Sequence, residues 1–318
     1  MRTENVLVAL AGAGLLGAAG LGVAGLRTDR AQLAGPPAPP PAAAGLAAGE
    51  DVRISSIQLA TGVRLQYAEA GPKDGEPALF LHGYTDSWFS YSQVLDRLPA
   101  GVRGLALTQR GHGDSERPEC CYRLEDFVAD AVAFLDALGI RKATIVGHSA
   151  GSFTAQALAL RHPERVSRLV LVGPATHTAT EPVRGFFEQA VQPLVDPVPV
   201  EFIREFQAST AFQPLAPEFL DRIVAESARL PARVWRDVLA DLLAVDLRGE
   251  LHRIRVPTLI VWGDRDELFP LEEQQALAAR IPGAKLLVYQ ETGHAPHWER
   301  PDRFVRDLAQ FVQGGATR

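Results

Sequence analysis

The sequence predicts an α/β fold with a mostly parallel sheet, on three observations. From about residue 51 onward, short β-rich runs alternate with helical patterns, as happens when the strands of one sheet are joined by crossover helices. Several of the β-rich runs are apolar throughout rather than alternating, as strands covered on both faces must be. One of them, Ala143–Val146, leads through a Gly-x-Ser-x-Gly turn straight into a helical pattern.

The elements follow in order. Arg53–Ala60 and Val63–Ala70 flank Thr61-Gly62 and read as an opening antiparallel hairpin. Ala78–His82, Val102–Thr108, Ala143–Val146, Arg168–Val172, Thr258–Trp262 and Lys285–Tyr289 read as six further strands. Leu124, Phe127, Val128, Ala131, Val132 and Leu135 recur at helical spacing and define one buried stripe, and Phe304, Leu308 and Phe311 repeat the pattern near the C-terminus. Residues 176–250 break the alternation with Pro-interrupted helical patterns, and read as a helical cap between the sixth and seventh strands. That segment carries 12 Asp/Glu against 7 Arg and seven large rings, Phe186, Phe187, Phe202, Phe206, Phe212, Phe219 and Trp235. The rings are expected mainly to pack the cap onto the sheet, with some available to line a pocket. The acidic excess disfavours strongly anionic substrates.

Composition sets further limits. At 47% hydrophobic and 22% charged the chain is globular, and a net charge of −6 argues against nucleic acid as a partner. The two cysteines, Cys120 and Cys121, are adjacent. They can build neither a disulfide framework nor a four-ligand zinc site, and they are expected as reduced thiols filling space. A vicinal disulfide is the strained alternative in an oxidising compartment. No His/Asp/Cys grouping has convincing ligand spacing, so no metal is expected, and no cofactor.

Before residue 51 the sequence changes character. Asn5–Leu26 lacks charge and is rich in Ala, Gly, Leu and Val; 22 residues at about 1.5 Å each would cross a bilayer. Arg2 ahead of it and Gly22-Val23-Ala24 fit a cleavable signal peptide, while the length fits an uncleaved anchor. Residues 1–26 are therefore expected to export the protein or hold it at a membrane, 27–50 to form a Pro/Ala/Gly-rich linker, and 51–318 to fold.

Gly147-His148-Ser149-Ala150-Gly151 is a nucleophile elbow in its required context of strand before and helix after. Positions 147 and 151 must be small, the turn lifts the Ser149 hydroxyl above the sheet, and the Ala150 N–H at the helix start can face an oxyanion. With Leu81-His82-Gly83-Tyr84, Arg110-Gly111-His112-Gly113-Asp114-Ser115, Gly263-Asp264-Arg265-Asp266-Glu267-Leu268-Phe269-Pro270 and Gly293-His294 before Glu299-Arg300-Pro301, the chain resembles the α/β-hydrolase superfamily over about residues 53–313. The resemblance implies an eight-stranded sheet with helices on both faces, and Tyr84 as the second oxyanion donor. Thr108 departs from the acidic residue usual two positions before Arg110.

Serine needs a base to take its proton and an acid to orient that base. Among eight histidines, His82 and His148 lie near the site but are poorly aimed; His294, after the last strand, is positioned to reach over the sheet, with His297 as the reserve. Asp264 and Asp266 both follow the seventh strand, and the family pattern selects Asp266, leaving Asp264 as a turn residue.

A serine at the nucleophile position excludes the carboxylate chemistry of haloalkane dehalogenases and epoxide hydrolases. The expectation is a serine esterase acting on small or medium, largely uncharged esters. Alternatives with the same triad are a cofactor-free haloperoxidase or perhydrolase, a lactonase or a carbon–carbon bond hydrolase; a non-catalytic binding module is the most distant. Trp88 and Phe89, just past the oxyanion loop, either influence that choice or pack a helix start. The N-terminal reading is checked by fractionation. Mature protein outside the cytoplasm beginning near Gly25 identifies a signal peptide, and full-length protein in the membrane fraction identifies an anchor. Full-length protein soluble in the cytoplasm would exclude both.

Overall fold

The computed structural model describes residues 52–313. The segments read above as signal or anchor and as linker lie outside the described residues. Among the described residues, no helix is long and apolar enough to cross a membrane.

Eight strands form one sheet: β1 (Arg53–Gln58), β2 (Arg64–Ala70), β3 (Glu76–Leu81), β4 (Val102–Leu107), β5 (Ala143–His148), β6 (Val166–Val172), β7 (Thr258–Gly263) and β8 (Lys285–Tyr289). Their spatial order is β1-β2-β4-β3-β5-β6-β7-β8. β1 and β2 pair antiparallel, as the Thr61-Gly62 turn predicts, and β2 pairs antiparallel with β4. From β4 to β8 every pairing is parallel. The α-helical segments among the described residues are α1 (Ser92–Leu95), α2 (Leu124–Ala137), α3 (Ala150–Arg161), α4 (Glu181–Phe186), α5 (Val200–Ser209), α6 (Pro217–Ser227), α7 (Ala232–Leu242), α8 (Leu271–Arg280), α9 (Pro296–Glu299) and α10 (Pro301–Gln313).

The unbroken apolar strands follow from two cores, one on each face. In β3, Leu79 and Leu81 join Ile145 and Leu171 against α2 and α3, while Phe80 joins Val146 and Val170 against α1 and α10. Strand ends differ from the sequence reading by one or two residues, and β5 continues through His148, directly beneath the nucleophile turn. Helices α4–α7 form the cap between β6 and β7. An isolated bridge between His177 and Asp246 closes its neck.

One sequence expectation changes. Cys120 and Cys121 are joined in a disulfide rather than left as thiols, and they are exposed rather than space-filling; the loop carrying them lies outside both cores. Trp88 and Phe89 are buried packing residues of the turn before α1. Thr108 is structural, its Oγ1 accepting from Trp88 N at 3.1 Å.

Under the antiparallel end of the sheet, Arg110 grips Asp130 of α2 with two hydrogen bonds of 2.7 Å and gives a third to the Cys121 carbonyl. Thr61 Oγ1 adds a donor to the same carboxylate at 2.6 Å. Both charged side chains are buried, so losing one partner would strand the other in a low dielectric. Asp130→Ala is expected to cost about 3–5 kcal/mol, read as a lower urea midpoint. An unchanged midpoint would show that Arg110 finds water or another acceptor.

Candidate active site

The serine turn is set by close approach. A Cβ on Gly147 would lie 2.3 Å from the Gly151 carbonyl oxygen, and one on Gly151 2.2 Å from the Leu81 carbonyl oxygen. Both positions must lack side chains for β3, β5 and α3 to meet. Ser149, between β5 and α3, is consequently held at φ 50° and ψ −117°, a conformation costing about 1–3 kcal/mol for a residue with a side chain. Its N–H donates to the Val172 carbonyl at 3.0 Å, tying the turn to the end of β6.

The acid and base meet after β7 and β8. His294 Nδ1 lies 2.8 Å from Asp266 Oδ2, with both side chains buried. Asp266 Oδ1 accepts from the Leu268 and Phe269 amides at 2.9 and 3.1 Å, so its other oxygen is held toward the imidazole. This leaves Nδ1 as the protonated nitrogen and Nε2 as a buried atom without a protein partner. The ring is brought beside the serine turn: a Cβ on Gly173, the residue after Val172, would lie 3.0 Å from His294 Nδ1. Asp264, the other candidate acid, accepts weakly from Thr292 N at 3.4 Å and does not reach the histidine.

The remaining histidines do other work. His82 Nε2 accepts from Gln109 N at 3.0 Å while Nδ1 donates to the Gly83 carbonyl at 2.8 Å, pinning the loop that carries Tyr84. His148 donates through Nε2 to the His294 carbonyl at 3.1 Å, which links the elbow to the base loop. His297, the reserve base, is turned toward Ser90 Oγ at 3.2 Å. Burial lowers the proton affinity of four histidines: His82 and His148 titrate well below the ordinary value, His112 at about 4 and His297 at about 3.

Three further groups shape the site; sequence reasoning quoted Glu299 in the motif after His294 without giving it a role, and did not single out Asp86 or Gln207. Asp86 is buried, 3.9 Å from His148 Nδ1, and burial raises its carboxyl to about 7. Glu299 accepts from Gly293 N at 2.7 Å and Gln213 N at 2.8 Å, joining the base loop to the cap. Gln207 of α5 bonds the loop after Tyr84. A carboxylate two residues beyond Tyr84, in a run from 77 to 95 otherwise free of Asp, Glu, Lys and Arg, was the one available signal for Asp86.

Gly83, Tyr84 and Ala150 line one cavity with Gln109, His112 and Thr154, and α7 covers it with Val238, Asp241 and Leu242. The seven cap rings lie elsewhere: Phe206 and Trp235 pack on Tyr84, Phe219 on Phe89, and Phe212 is exposed. The cavity is about 20 Å³, room for one water.

A parallel sheet whose fifth strand runs into a strained serine turn, with a paired acid and histidine after its last two strands, defines an α/β hydrolase. The chain belongs to that family, whose model, described as alpha/beta hydrolase fold, matches residues 77–301. It is 32% identical over 268 residues to a 2-hydroxymuconate semialdehyde hydrolase from a Pseudomonas species, covering 80% of this chain and 92% of the relative. It is 28% identical to a non-heme chloroperoxidase from Streptomyces lividans, over 82% of this chain and all of the relative. A meta-cleavage product hydrolase from Pseudomonas fluorescens superposes with a TM-score of 0.71 at 27% identity, covering 82% and 98% of the two chains.

The buried neutral histidines fix a pH dependence of stability. Each binds a proton more weakly folded than unfolded, so its contribution is complete above about 6.5 and is lost as pH falls toward the folded value. Asp86 acts in the opposite sense, since its raised value makes ionisation costly between about 4 and 7. Four histidines outweigh one carboxyl, and the melting temperature is expected to fall from pH 6.5 to 4.5. His297→Phe should flatten that slope whatever it does to the absolute melting temperature. A slope equal to wild type would mean that His297 is charged when folded.

Proposed function

We propose that this chain is a serine hydrolase cleaving carboxylic esters of small or medium, largely uncharged substrates through an acyl-enzyme. One observation carries the reading: Asp266 fixes the proton of His294 on Nδ1, and Nε2 is left as a buried base without a protein partner beside the serine turn. Ser149 Oγ gives its proton to Nε2 as it attacks the ester carbonyl carbon. The Asp266 carboxylate stabilises the imidazolium that forms. Negative charge on the carbonyl oxygen is met by the backbone N–H groups of Tyr84 and Ala150, the latter at a helix N-terminus where amides lack intrahelical acceptors. His294 protonates the departing alkoxide, then activates the water that releases the acid.

The cavity lining supports an uncharged substrate. Among the described residues that line it there is no Lys or Arg, His112 is held neutral, and Asp241 contributes a carboxylate. A substrate carboxylate would be desolvated against that group with no cation to offset the loss. The hydroxymuconate semialdehyde of the Pseudomonas relative's name carries such a group, and the lining here lacks a partner for it. The proposed setting is outside the cytoplasm or at a membrane surface through residues 5–26; the Cys120–Cys121 disulfide fits an oxidising compartment.

Ser149→Ala is expected to abolish both turnover of chromogenic esters and labelling by a fluorophosphonate. Asp266→Asn should lower kcat on the order of 10⁴-fold through the wrong imidazole tautomer, whereas Asp264→Asn should keep kcat near wild type. A neutral butyrate ester should exceed an equally long ester with a terminal carboxylate by roughly tenfold in kcat/KM, equivalent to about 1.4 kcal/mol. Labelling that survives in the alanine variant, or preference for the carboxylate ester, would overturn the assignment.

A further inference from the structure

The loop that presents the Tyr84 amide is gripped by the cap at three consecutive residues. The Tyr84 side chain reaches into α7, where its hydroxyl donates to the Trp235 carbonyl at 2.6 Å and its ring packs edge-on against Trp235 and Phe206. Thr85 and Asp86 are held by one amide, that of Gln207 in α5. Its Nε2 lies 3.2 Å from Thr85 Oγ1 and 3.1 Å from Asp86 Oδ1, and donates to Ser227 Oγ of α6 at 2.8 Å. Ser227 passes its own proton to the Ile223 carbonyl. The Gln207 amide is therefore oriented from its own side before it meets the loop.

The loop needs that help. Thr85 has φ 67°, a left-handed conformation that disfavours a β-branched residue, and it is fully buried. Without a partner on Oγ1, relaxation of Thr85 would rotate the Tyr84–Thr85 peptide and, through Tyr84 Cα, disturb the orientation of the Tyr84 N–H. The same end of α5 touches the base: His294 N donates to the Thr210 carbonyl at 2.8 Å, and Phe212 and Gln213 share Glu299 with Gly293.

We propose that Gln207 is a positioning residue, whose amide holds Thr85 and Asp86 so that the Tyr84 N–H faces the oxyanion only while the cap is docked. The proposal rests on the reading of Tyr84 as an oxyanion donor. Retraction of α7 admits substrate, and return of the cap completes the charge-stabilising half of the site. Substrate loaded under an open cap is thus not hydrolysed until water is excluded.

Gln207→Leu keeps the bulk and removes both donors. It is expected to lower kcat by about 10²-fold, the order seen when one oxyanion donor is lost, with KM little changed. Affinity for a trifluoromethyl ketone, which forms the oxyanion on Ser149, should weaken in parallel with kcat/KM. Affinity for the product acid should not. Ser227→Ala, a smaller change that frees the Gln207 amide without touching the loop, should give an intermediate loss and guards against a variant that fails to fold. Unchanged kcat in both variants, or a loss of kcat with unaltered trifluoromethyl ketone affinity, would overturn the proposal. Turnover retained by Ser149→Ala would instead overturn the serine hydrolase reading on which it stands.

Discussion

The close approach of three backbones at the serine turn is the constraint on which the rest of the structure depends. With Gly147 and Gly151 in contact range of the neighbouring backbone, β5 can pass directly beneath α3, and the polypeptide has no choice at Ser149 but a strained conformation. That strain persists because each flanking element is buried in one of two cores and cannot move away to relieve it. The parallel register then delivers the ends of β6, β7 and β8 to the same edge. Val172, Asp266 and His294 arrive there as consequences of strand order rather than of any local sequence preference.

Around this turn the protein buries many titratable groups and leaves almost all of them neutral. His82, His112, His148 and His297 are each tied by a single neutral hydrogen bond, or two, and desolvation removes their charge. His294 differs in having a carboxylate on Nδ1, whose free oxygen is in turn held by two amides. An imidazolium formed there has a counter-charge already in hydrogen-bond contact, whereas among the described residues no carboxylate bonds His82, His112 or His297, and Asp86 stands 3.9 Å from His148. His294 is thus set apart from the other buried histidines by where Asp266 falls.

Much of this was legible in the sequence. Ala143–Val146 running into Gly147–Gly151 identifies the elbow because the turn has strict steric demands that only a few residue types meet. The order of the acid and base loops follows from a parallel sheet, and so Asp266 and His294 are found where the strands end. The seven cap rings were a poorer guide: apolar bulk in a helix specifies burial but not what it is buried against, and α7 meets the cavity with Val238, Asp241 and Leu242 instead. Gln207 and Asp86 were invisible for a related reason. Gln207 meets Thr85 and Asp86 from 122 and 121 positions away, and Asp86 faces His148, 62 positions on, and a polar residue with a distant partner reads in one dimension as a solvated one. The pairing of Cys120 with Cys121 likewise depends on an exposed loop conformation that composition does not encode.

The second position of the Gly-x-Ser-x-Gly motif shows how far family membership reaches. The motif leaves it open. Here it is His148, and its Nε2 bonds the backbone of His294 while its Nδ1 faces the buried Asp86. Asp86 in turn connects through Gln207 to the cap. The elbow, the base loop, the oxyanion loop and the cap are therefore joined through a residue that the motif does not specify. A fold supports many chemistries because its framework is common and its sites are local. In this chain the local part includes the connections that determine when the common framework is assembled, and these lie in the polar contacts between cap and sheet.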